Sequence, residues 1–284
     1  MRVYHIGFLK RGGKSGMAGT NPGILQFRHF SGCLSGAMAF LKTGCCGFPL
    51  PKLRYSVAFP VVEVQTTFYQ PPRITTLQGW RAMLPPPFEF TLKAWQLITH
   101  TARSPTFRRI KAKLTARELA QCGGFRSTAI VQRAWEVSRD CAEALGARLL
   151  LFQCPASFTP SAQNVRQLRR FFTGIDRHDL TLLWEPRGIW PAELVRSLCR
   201  ELNLVHAVDP FVCPTVTPEF LYFRLHGGKD FRQVFTVEEL LSVVRLIPGD
   251  QRAYVMFNNR TMLPDATTFQ KLATFPDSLL TSPC

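Results

Sequence analysis

The amino-acid sequence predicts an α/β protein with a single (β/α)8 barrel of the TIM type, in either a regular or an irregular form. Eight short apolar runs are spaced along the 284 residues, with helix-like or loop-like segments between them. The runs are rich in Val, Leu, Phe and Tyr, as is typical of parallel strands buried on both faces. Nearly every run ends in a polar residue, which is how such barrels build a pocket from many strand ends. A doubly wound open sheet would instead concentrate these residues at one switch point.

Alternation along the eight runs predicts which side chains face the inside of the barrel. Successive side chains of a strand point to opposite faces, so Glu63 and Gln65 share a face, and so do Glu89, Thr91 and Lys93. Leu183 with Glu185, and Tyr222 with Arg224 and His226, follow the same rule. The runs are LKTGCCG (41–47), VVEVQTTF (61–68), FEFTLKA (88–94), RLLLFQCP (148–155), LTLLWEPR (180–187), LVHAVD (204–209), FLYFRLHG (220–227) and AYVMFNN (253–259).

Four helices are predicted between the runs. Apolar residues at spacings of three and four predict a helix over 126–145. Ser161 is a suitable N-cap for a second helix, and Pro191 suits the first turn of a third. The segment 236–239, TVEE, forms a capping box for a fourth helix, which is expected to end at Pro248. Strand followed by helix, repeated, predicts parallel pairing with right-handed crossovers.

The chain divides into three predicted parts. Residues 1–40 contain no Asp or Glu and are rich in Gly, Ser and basic residues, which predicts a disordered or loosely docked extension without chemistry. Residues 41–275 form the barrel domain, and residues 276–284 are a C-terminal tail. Within the barrel, the basic stretch 103–126 is either a lid or substrate-binding loop above the mouth, or a solvated connector.

Composition restricts the class of protein. No apolar run approaches the ~18 residues of a membrane span, so no membrane partner is expected. Nine scattered cysteines without a C-x-x-C pair favour a reducing, cytoplasmic location and argue against a zinc knuckle. The net charge of +16 attracts anionic ligands, and nucleic acid is one of them.

Seven short motifs follow one another in the order seen in one protein family. They are TGCCGF (43–48), EVQTTFY (63–69), FEFTLK (88–93) with Thr99-His100, LFQCPASF (151–158), WEPR (184–187), YFRLHG (222–227) and FNN (257–259). From Leu41 to Thr268 the chain resembles the YecE-like family (domain of unknown function 72), TIM-barrel proteins whose activity is not established. Gln65 stands where the family usually has Asn, and 264–267 lacks an Asn that often precedes Ala. The resemblance implies the fold and names no substrate.

The barrel interpretation brings a group of ionisable side chains to the C-terminal mouth. Glu185 or Glu63 is the candidate general base, and Lys93 or His226 the candidate general acid. The expected substrate-binding residues are Arg187, Arg224, Gln153, Asn258, Asn259, Asp209, Gln65, Tyr69 and His100. Among them the guanidinium groups would hold a phosphate or carboxylate, and the amides would orient hydroxyl or carbonyl groups. The sequence thus predicts an enzyme for a small phosphorylated or carboxylated compound; hydrolase, lyase and isomerase remain open.

Three alternatives use the same residues differently. A structural plug would pair Lys93 with Glu63 or Glu185. A divalent metal could bind Glu63, Glu185, Asp209 and His226, an oxygen-rich set that suits Mg²⁺ or Mn²⁺ and could also take Zn²⁺, although Lys93 and Arg224 would repel it. Lys93 could also form a Schiff base, but neighbouring carboxylates would keep its amine charged. No organic cofactor is implied.

The alternative outside enzymology is a nucleic-acid- or nucleotide-binding protein that uses the basic segments 1–40 and 103–126. Its binding would depend strongly on salt. Aromatic residues are sparse in 103–126, where only Phe107 and Phe125 occur, so base stacking has little support. Oligomeric state does not follow from the sequence.

Overall fold

The structure is a computed structural model that describes residues 40–228 and 230–274. The predicted N-terminal extension, up to residue 39, and the predicted tail 276–284 lie outside the described residues.

Eight parallel strands close into one barrel in the order of the sequence, so the predicted fold class is confirmed. Each strand pairs with the next, and β1 pairs with β8 to close the sheet. The strands are β1 Leu41–Cys45, β2 Val61–Val64, β3 Glu89–Lys93, β4 Leu149–Gln153, β5 Thr181–Glu185, β6 Leu204–Val208, β7 Phe220–Leu225 and β8 Arg252–Phe257.

Helices lie between the strands and cover the outside of the barrel. They are α1 Lys52–Ala58, α2 Thr66–Tyr69, α3 Ile74–Met83, α4 Ala116–Gln121, α5 Ala129–Leu145, α6 Ala162–Gly174, α7 Ala192–Leu202, α8 Val237–Val244 and α9 Met262–Thr274, with a 3-10 helix at Pro105–Arg109. Among the described residues, none of the helices is long and apolar enough to cross a membrane.

Side-chain caps form at two of the four helix starts that the sequence predicts. The Ser161 hydroxyl accepts a hydrogen bond from the backbone amide of Asn164 at 3.2 Å. The capping box of Thr236 with Glu239 is formed. Two boundaries differ from the prediction: α5 begins at Ala129, three residues late, and α8 ends at Val244 rather than at Pro248. The end of α8 has a local cause, since the residue before a proline disfavours helical backbone and the chain tightens into i→i+3 turns.

Apolar residues form two cores, one on each face of the sheet. The larger core lies between the strands and the helices. The smaller core fills the barrel, with Val61, Leu151, Leu183, Ala207 and Met256 among its members. A glycine is required where β1 approaches β2, because a Cβ at Gly44 would lie 2.2 Å from the Val61 carbonyl oxygen.

Polar residues continue the filling of the barrel above and below this inner core. Near the N-terminal end, the Tyr254 hydroxyl donates to Glu89 at 2.7 Å, and Lys42 pairs with the same carboxylate. Higher up, the Tyr222 hydroxyl contacts that of Thr91 at 2.9 Å. Layers of side chains from several strands therefore lead upward to the mouth.

The long connection between β3 and α5 is ordered and partly buried. Its end is bound back to the loop after β3 by backbone hydrogen bonds from Gly123 to Leu97 and from Phe125 to Ile98. Phe125 is fully buried. Thr106 donates its hydroxyl to Gln96 at 2.5 Å and lines a cavity at the mouth. The connection thus contributes directly to the mouth of the barrel and is more than a solvated connector.

Candidate active site

Arg224 occupies the centre of the barrel mouth and joins two carboxylates. Its Nε and Nη2 donate to Glu63 at 3.0 and 2.7 Å. Its Nη1 donates to Glu185 at 2.5 Å. Arg224 is fully buried and Glu63 is as well, with Glu185 at 3% exposure. We call Glu63, Arg224 and Glu185 the mouth triad. The structural plug considered from the sequence would have paired Lys93 with Glu63 or Glu185. In the structure Arg224, not Lys93, neutralises both carboxylates.

Glu63 is saturated with hydrogen bonds. Besides Arg224, it accepts from the Tyr222 hydroxyl at 2.8 Å, from the Gln65 amide and from the Cys46 thiol at 3.4 Å. Burial would raise the pKa of Glu63, but the charge and hydrogen bonds of Arg224, with help from Tyr222, lower it below its ordinary value. Glu63 is therefore a charged acceptor with no free lone pair directed at a ligand.

Glu185 is held by hydrogen-bond donors from β7 and from the loops that follow β5 and β7. Its Oε1 accepts from His226 Nε2 at 2.9 Å and from Arg187 Nη1 at 3.1 Å. Burial would raise the pKa of this carboxyl, but Arg224 and His226 outweigh it and hold the pKa well below its usual range. The Asn258 amide contacts His226 Nδ1 at 3.0 Å. This network assigns the proton to Nε2 of a neutral imidazole, in agreement with a pKa that burial lowers.

Lys93 is a buried cation at the mouth without an ionic partner among the described residues. It is 6% exposed, and among the described residues it has neither an ion pair nor a hydrogen bond from its amine. Its Nζ lies 3.7 Å from the centroid of the Phe68 ring. Burial, and then the positive charge of Arg224, lower the pKa of Lys93 to about 7, although Glu185 and Glu63 oppose the shift. The amine is therefore divided between its charged and neutral forms near neutral pH.

Two cavities open at the mouth, on either side of His226 and Asn258. One has a volume of about 610 Å³, and we call it the Lys93 cavity. The other, of about 540 Å³, is the Glu185 cavity. The Lys93 cavity is lined by Lys93 together with Gln65, Phe68, Tyr69, His100, Thr106, Gln153, Asp230, Phe231, Arg232, Asn258, Asn259 and Arg260. The Glu185 cavity is more apolar, with Phe211, Val212 and Phe235 beside Glu185, Arg187, Asp209 and His226.

Some of the expected ligand-binding residues have structural partners instead. Asp209 accepts hydrogen bonds from the backbone amides of His226 at 3.0 Å and Phe211 at 3.1 Å, so its carboxylate shapes the loops. Asn259 donates to Asp265 at 2.5 Å. The hydrogen-bond donors of Arg224 are all directed at Glu63, Glu185, His226 or Cys46. Arg224 therefore fixes the positions of the two carboxylates.

The set proposed as metal ligands does not form a ligand sphere. The Arg224 guanidinium lies between Glu63 and Glu185, and Asp209 is occupied by backbone amides. Within residues 40–228 and 230–274, no group of three or more His, Cys, Asp or Glu side chains is arranged to hold a metal ion.

Other expected residues do face the Lys93 cavity. His100 contacts the Thr99 hydroxyl through Nδ1 at 2.7 Å, and burial, aided by Lys93, lowers its pKa to about 3, so the imidazole is neutral. The ring of Tyr69 lies beneath the guanidinium of Arg109, with 3.5 Å between the Arg109 Cζ atom and the ring centroid. Gln153 lines the same cavity from the end of β4.

Sequence reasoning missed the two cations at the rim of the Lys93 cavity, Arg232 and Arg260. Both are exposed and belong to loops, one after β7 and one after β8. Arg260 directly follows the FNN motif, and this adjacency was the available signal. Arg232 lies in a stretch without periodicity, where no pattern assigns a direction to a side chain.

Comparison with known proteins agrees with this geometry. The family described as "Protein of unknown function DUF72" matches residues 52–278. The chain belongs to the DUF72 family. The resemblance to the YecE-like proteins is thereby confirmed. Among curated proteins, none matches the sequence.

Solved structures of DUF72 proteins show the same fold. A DUF72 family protein from Enterococcus faecalis V583 has a TM-score of 0.64 and 19% identity over 82% of this chain and 97% of that chain. One from Thermotoga maritima MSB8 has a TM-score of 0.60 and 20% identity over 82% and 98%. A xylose isomerase domain containing protein from Salmonella typhimurium LT2 has a TM-score of 0.50 and 15% identity over 85% and 97%. At these identities the likeness establishes the fold of the DUF72 barrel alone.

Proposed function

We propose that this DUF72 barrel is an enzyme that carries out acid–base chemistry on a small phosphorylated or carboxylated compound in the Lys93 cavity. Lys93 is the proton-transfer group in this proposal. The observation that carries it is the unpaired amine of Lys93, buried at a strand end and lining a cavity. A proton-transfer group works best when its pKa lies near the operating pH, and the pKa of Lys93 is about 7.

The surroundings of Lys93 favour an anionic ligand. Arg232 and Arg260 line the same cavity; Arg232 forms an exposed ion pair with Asp230 at 3.7 Å, whereas Arg260 has no ion pair among the described residues. Guanidinium groups match the geometry of phosphate and carboxylate oxygens. The amides of Gln153 and Asn258 supply directional hydrogen bonds for hydroxyl or carbonyl groups.

The two glutamates have a different role in this proposal from the one that their sequence positions suggested. A general base must have an available lone pair and a pKa near neutrality, and neither Glu63 nor Glu185 meets these conditions. Their role is to hold Arg224 in place, and Arg224 puts a fixed positive charge close to Lys93. Burial and that charge together outweigh the two glutamates and keep part of the Lys93 population neutral and able to accept a proton.

The experiment that tests this proposal is a thermal-shift screen with small phosphorylated and carboxylated compounds. At a concentration of 100 times Kd a ligand stabilises the folded protein by roughly 2.7 kcal/mol. We expect a subset of the compounds to raise the melting temperature, and Arg260→Gln to reduce that shift. Arg148→Gln is the matched control, because Arg148 lies before β4 at the opposite end of the barrel. Equal shifts in all three proteins would contradict the proposal.

The same screen distinguishes a small ligand bound in the Lys93 cavity from the alternative, nucleic acid bound on the basic surface. A polyanion held by the exposed basic residues of 103–126 would bind equally well to Arg260→Gln and would dissociate steeply with added salt. Binding of a small ligand that depends on Arg260 and survives moderate salt supports the cavity instead.

A cytoplasmic location remains part of the proposal. Seven cysteines are free among the described residues, and six of them are buried. Free buried thiols persist in a reducing compartment.

A further inference from the structure

We propose that Lys93 is a nucleophile that forms an imine with an aldehyde or ketone that also carries a phosphate or carboxylate group. This inference rests on the proposed function and adds the substrate class: an anionic carbonyl compound bound in the Lys93 cavity. A lysine forms such an imine when its amine is accessible to the carbonyl carbon and is not consumed by an ion pair.

The first requirement is an uncommitted amine. Carboxylates nearby would normally pair with a buried lysine, as the sequence led us to expect. In this barrel Arg224 takes both carboxylates, with contacts of 2.7 Å to Glu63 and 2.5 Å to Glu185. Within the described part of the chain, no acidic oxygen lies within ion-pair distance of Lys93.

The second requirement is a fixed position and a neutral fraction of the amine. The Phe68 ring lies against Nζ at 3.7 Å and covers one side of it. Lys93 and Phe68 both line a cavity of about 610 Å³, ample for a small metabolite. Burial and the charge of Arg224 leave a substantial neutral fraction above pH 7, and the neutral amine is the nucleophilic form.

The third requirement is a balanced path for protons. The Nζ lone pair attacks the carbonyl carbon, and the π electrons move to the oxygen, which takes a proton from the new ammonium group. The nitrogen lone pair then forms the C=N bond as the carbinolamine C–O bond breaks, the remaining N–H proton passes to the departing oxygen, and water leaves. The imine remains, so amine plus carbonyl gives imine plus water with no oxidant or reductant. His100, Tyr69 and Gln153 line the cavity and offer hydrogen bonds to the oxygen in transit.

The two arginines at the rim of the Lys93 cavity indicate that the substrate is negatively charged. Arg232 and Arg260 line the same cavity as Lys93 and are exposed to incoming ligands. An anionic group held there leaves a carbonyl a few bonds away to face the amine. Two sources share this chemistry, oxo acids and sugar phosphates, and the two arms of the test distinguish them.

The test is borohydride trapping of the full-length chain with glyoxylate, glycolaldehyde phosphate or uncharged glycolaldehyde. Reduction converts an imine to a stable secondary amine, which peptide mass mapping locates. We expect one of the anionic probes to label Lys93 at least about tenfold more than exposed Lys271, and uncharged glycolaldehyde to show no such preference. The Lys93→Arg variant keeps the charge and should lose this adduct. Labelling at Lys93 should also rise as the pH passes through about 7.

The outcomes separate this inference from the function on which it rests. Equal labelling of Lys93 and Lys271 by both anionic probes, or the same total labelling in Lys93→Arg, overturns the imine. If the Arg260-dependent thermal shift is retained in that case, acid–base chemistry on an anionic ligand stands without the covalent step. If neither the adduct nor the Arg260-dependent shift is found, both proposals fail.

Discussion

At the scale of single residues, the properties of the mouth depend on Arg224. Two carboxylates buried without a cation would carry a desolvation cost of several kcal/mol each. Arg224 offsets this cost with paired hydrogen bonds and charge, and its fork reaches from β7 to Glu63 on β2 and Glu185 on β5. Lys93 is left without an ionic partner, so burial, and then the charge of Arg224, lower its pKa. The pKa values of the two glutamates fall for the opposite reason, because Arg224 stabilises their charged forms against burial.

We expect Arg224→Met to destabilise the protein by about 3–5 kcal/mol at pH 7, because it leaves two buried carboxylates without their partner. In the unmodified protein the lowered pKa values of Glu63 and Glu185 stabilise the fold above the ordinary carboxyl pKa of 4.5, and this contribution is lost as the pH falls. The difference in the free energy of unfolding between the variant and the unmodified protein should therefore become smaller at acidic pH. Urea unfolding at several pH values measures it; a difference that is constant with pH would contradict the role given to Arg224.

We expect Lys93→Met to be more stable than the unmodified protein at pH 7, by roughly 2–4 kcal/mol. The pKa of Lys93 is lowered from 10.5 to about 7, so between these values the unfolded chain binds more protons and stability rises with pH. The gain of the variant should consequently diminish toward pH 10.5. Denaturant midpoints across this range are the measurement, and a variant less stable than the parent at pH 7 would refute the buried, unpaired amine.

Part of this residue-level picture could be predicted from the sequence. Alternation along the strands placed Glu63, Lys93, Glu185 and His226 on the inner face, and the structure brings them together at one end of the barrel. The partners could not be predicted, since the reach of a long side chain across the barrel depends on strand tilt and register. Loop residues such as Arg232 have no periodic pattern from which a direction follows.

At the scale of elements, the strands were the most predictable part of the fold. Each combines an apolar run with a polar end, and both features follow from burial on two faces and exposure at the mouth. Two helices with side-chain caps, α6 after Ser161 and α8 after Thr236, were predicted, whereas the capping box that starts α4 was missed. The α1 and α3 helices have no side-chain cap hydrogen bond, and they were not predicted either.

We expect Gly44→Ala to destabilise the barrel by more than about 2 kcal/mol, because the new Cβ would lie 2.2 Å from the Val61 carbonyl oxygen and force β1 away from β2. Gly79→Ala is the matched control: Gly79 is inside α3 and nothing lies within 4 Å of its added Cβ. That control should stabilise the protein by up to about 1 kcal/mol through helix propensity. Similar effects of the two substitutions on the unfolding midpoint would show that the close approach at β1 is not required.

At the scale of the whole molecule, the barrel collects groups that are distant in the chain into one polar layer above an apolar core. Glu63 and Arg224 are 161 residues apart in sequence, yet they share two hydrogen bonds. The net charge of +16 adds a general attraction for anions, and the cavity adds a place where an anion meets a specific amine. The sequence could show the charge and the barrel, whereas the split of the mouth into two cavities depends on loops that follow β6, β7 and β8.

The most direct test is a side-chain NMR titration of Lys93 Nζ in the ¹⁵N-lysine-labelled protein, with Lys93→Arg to assign the signal. The account predicts a midpoint near pH 7, because the amine is buried beside the mouth triad without an acidic partner. A midpoint near 10.4, the value of a lysine in water, would contradict it.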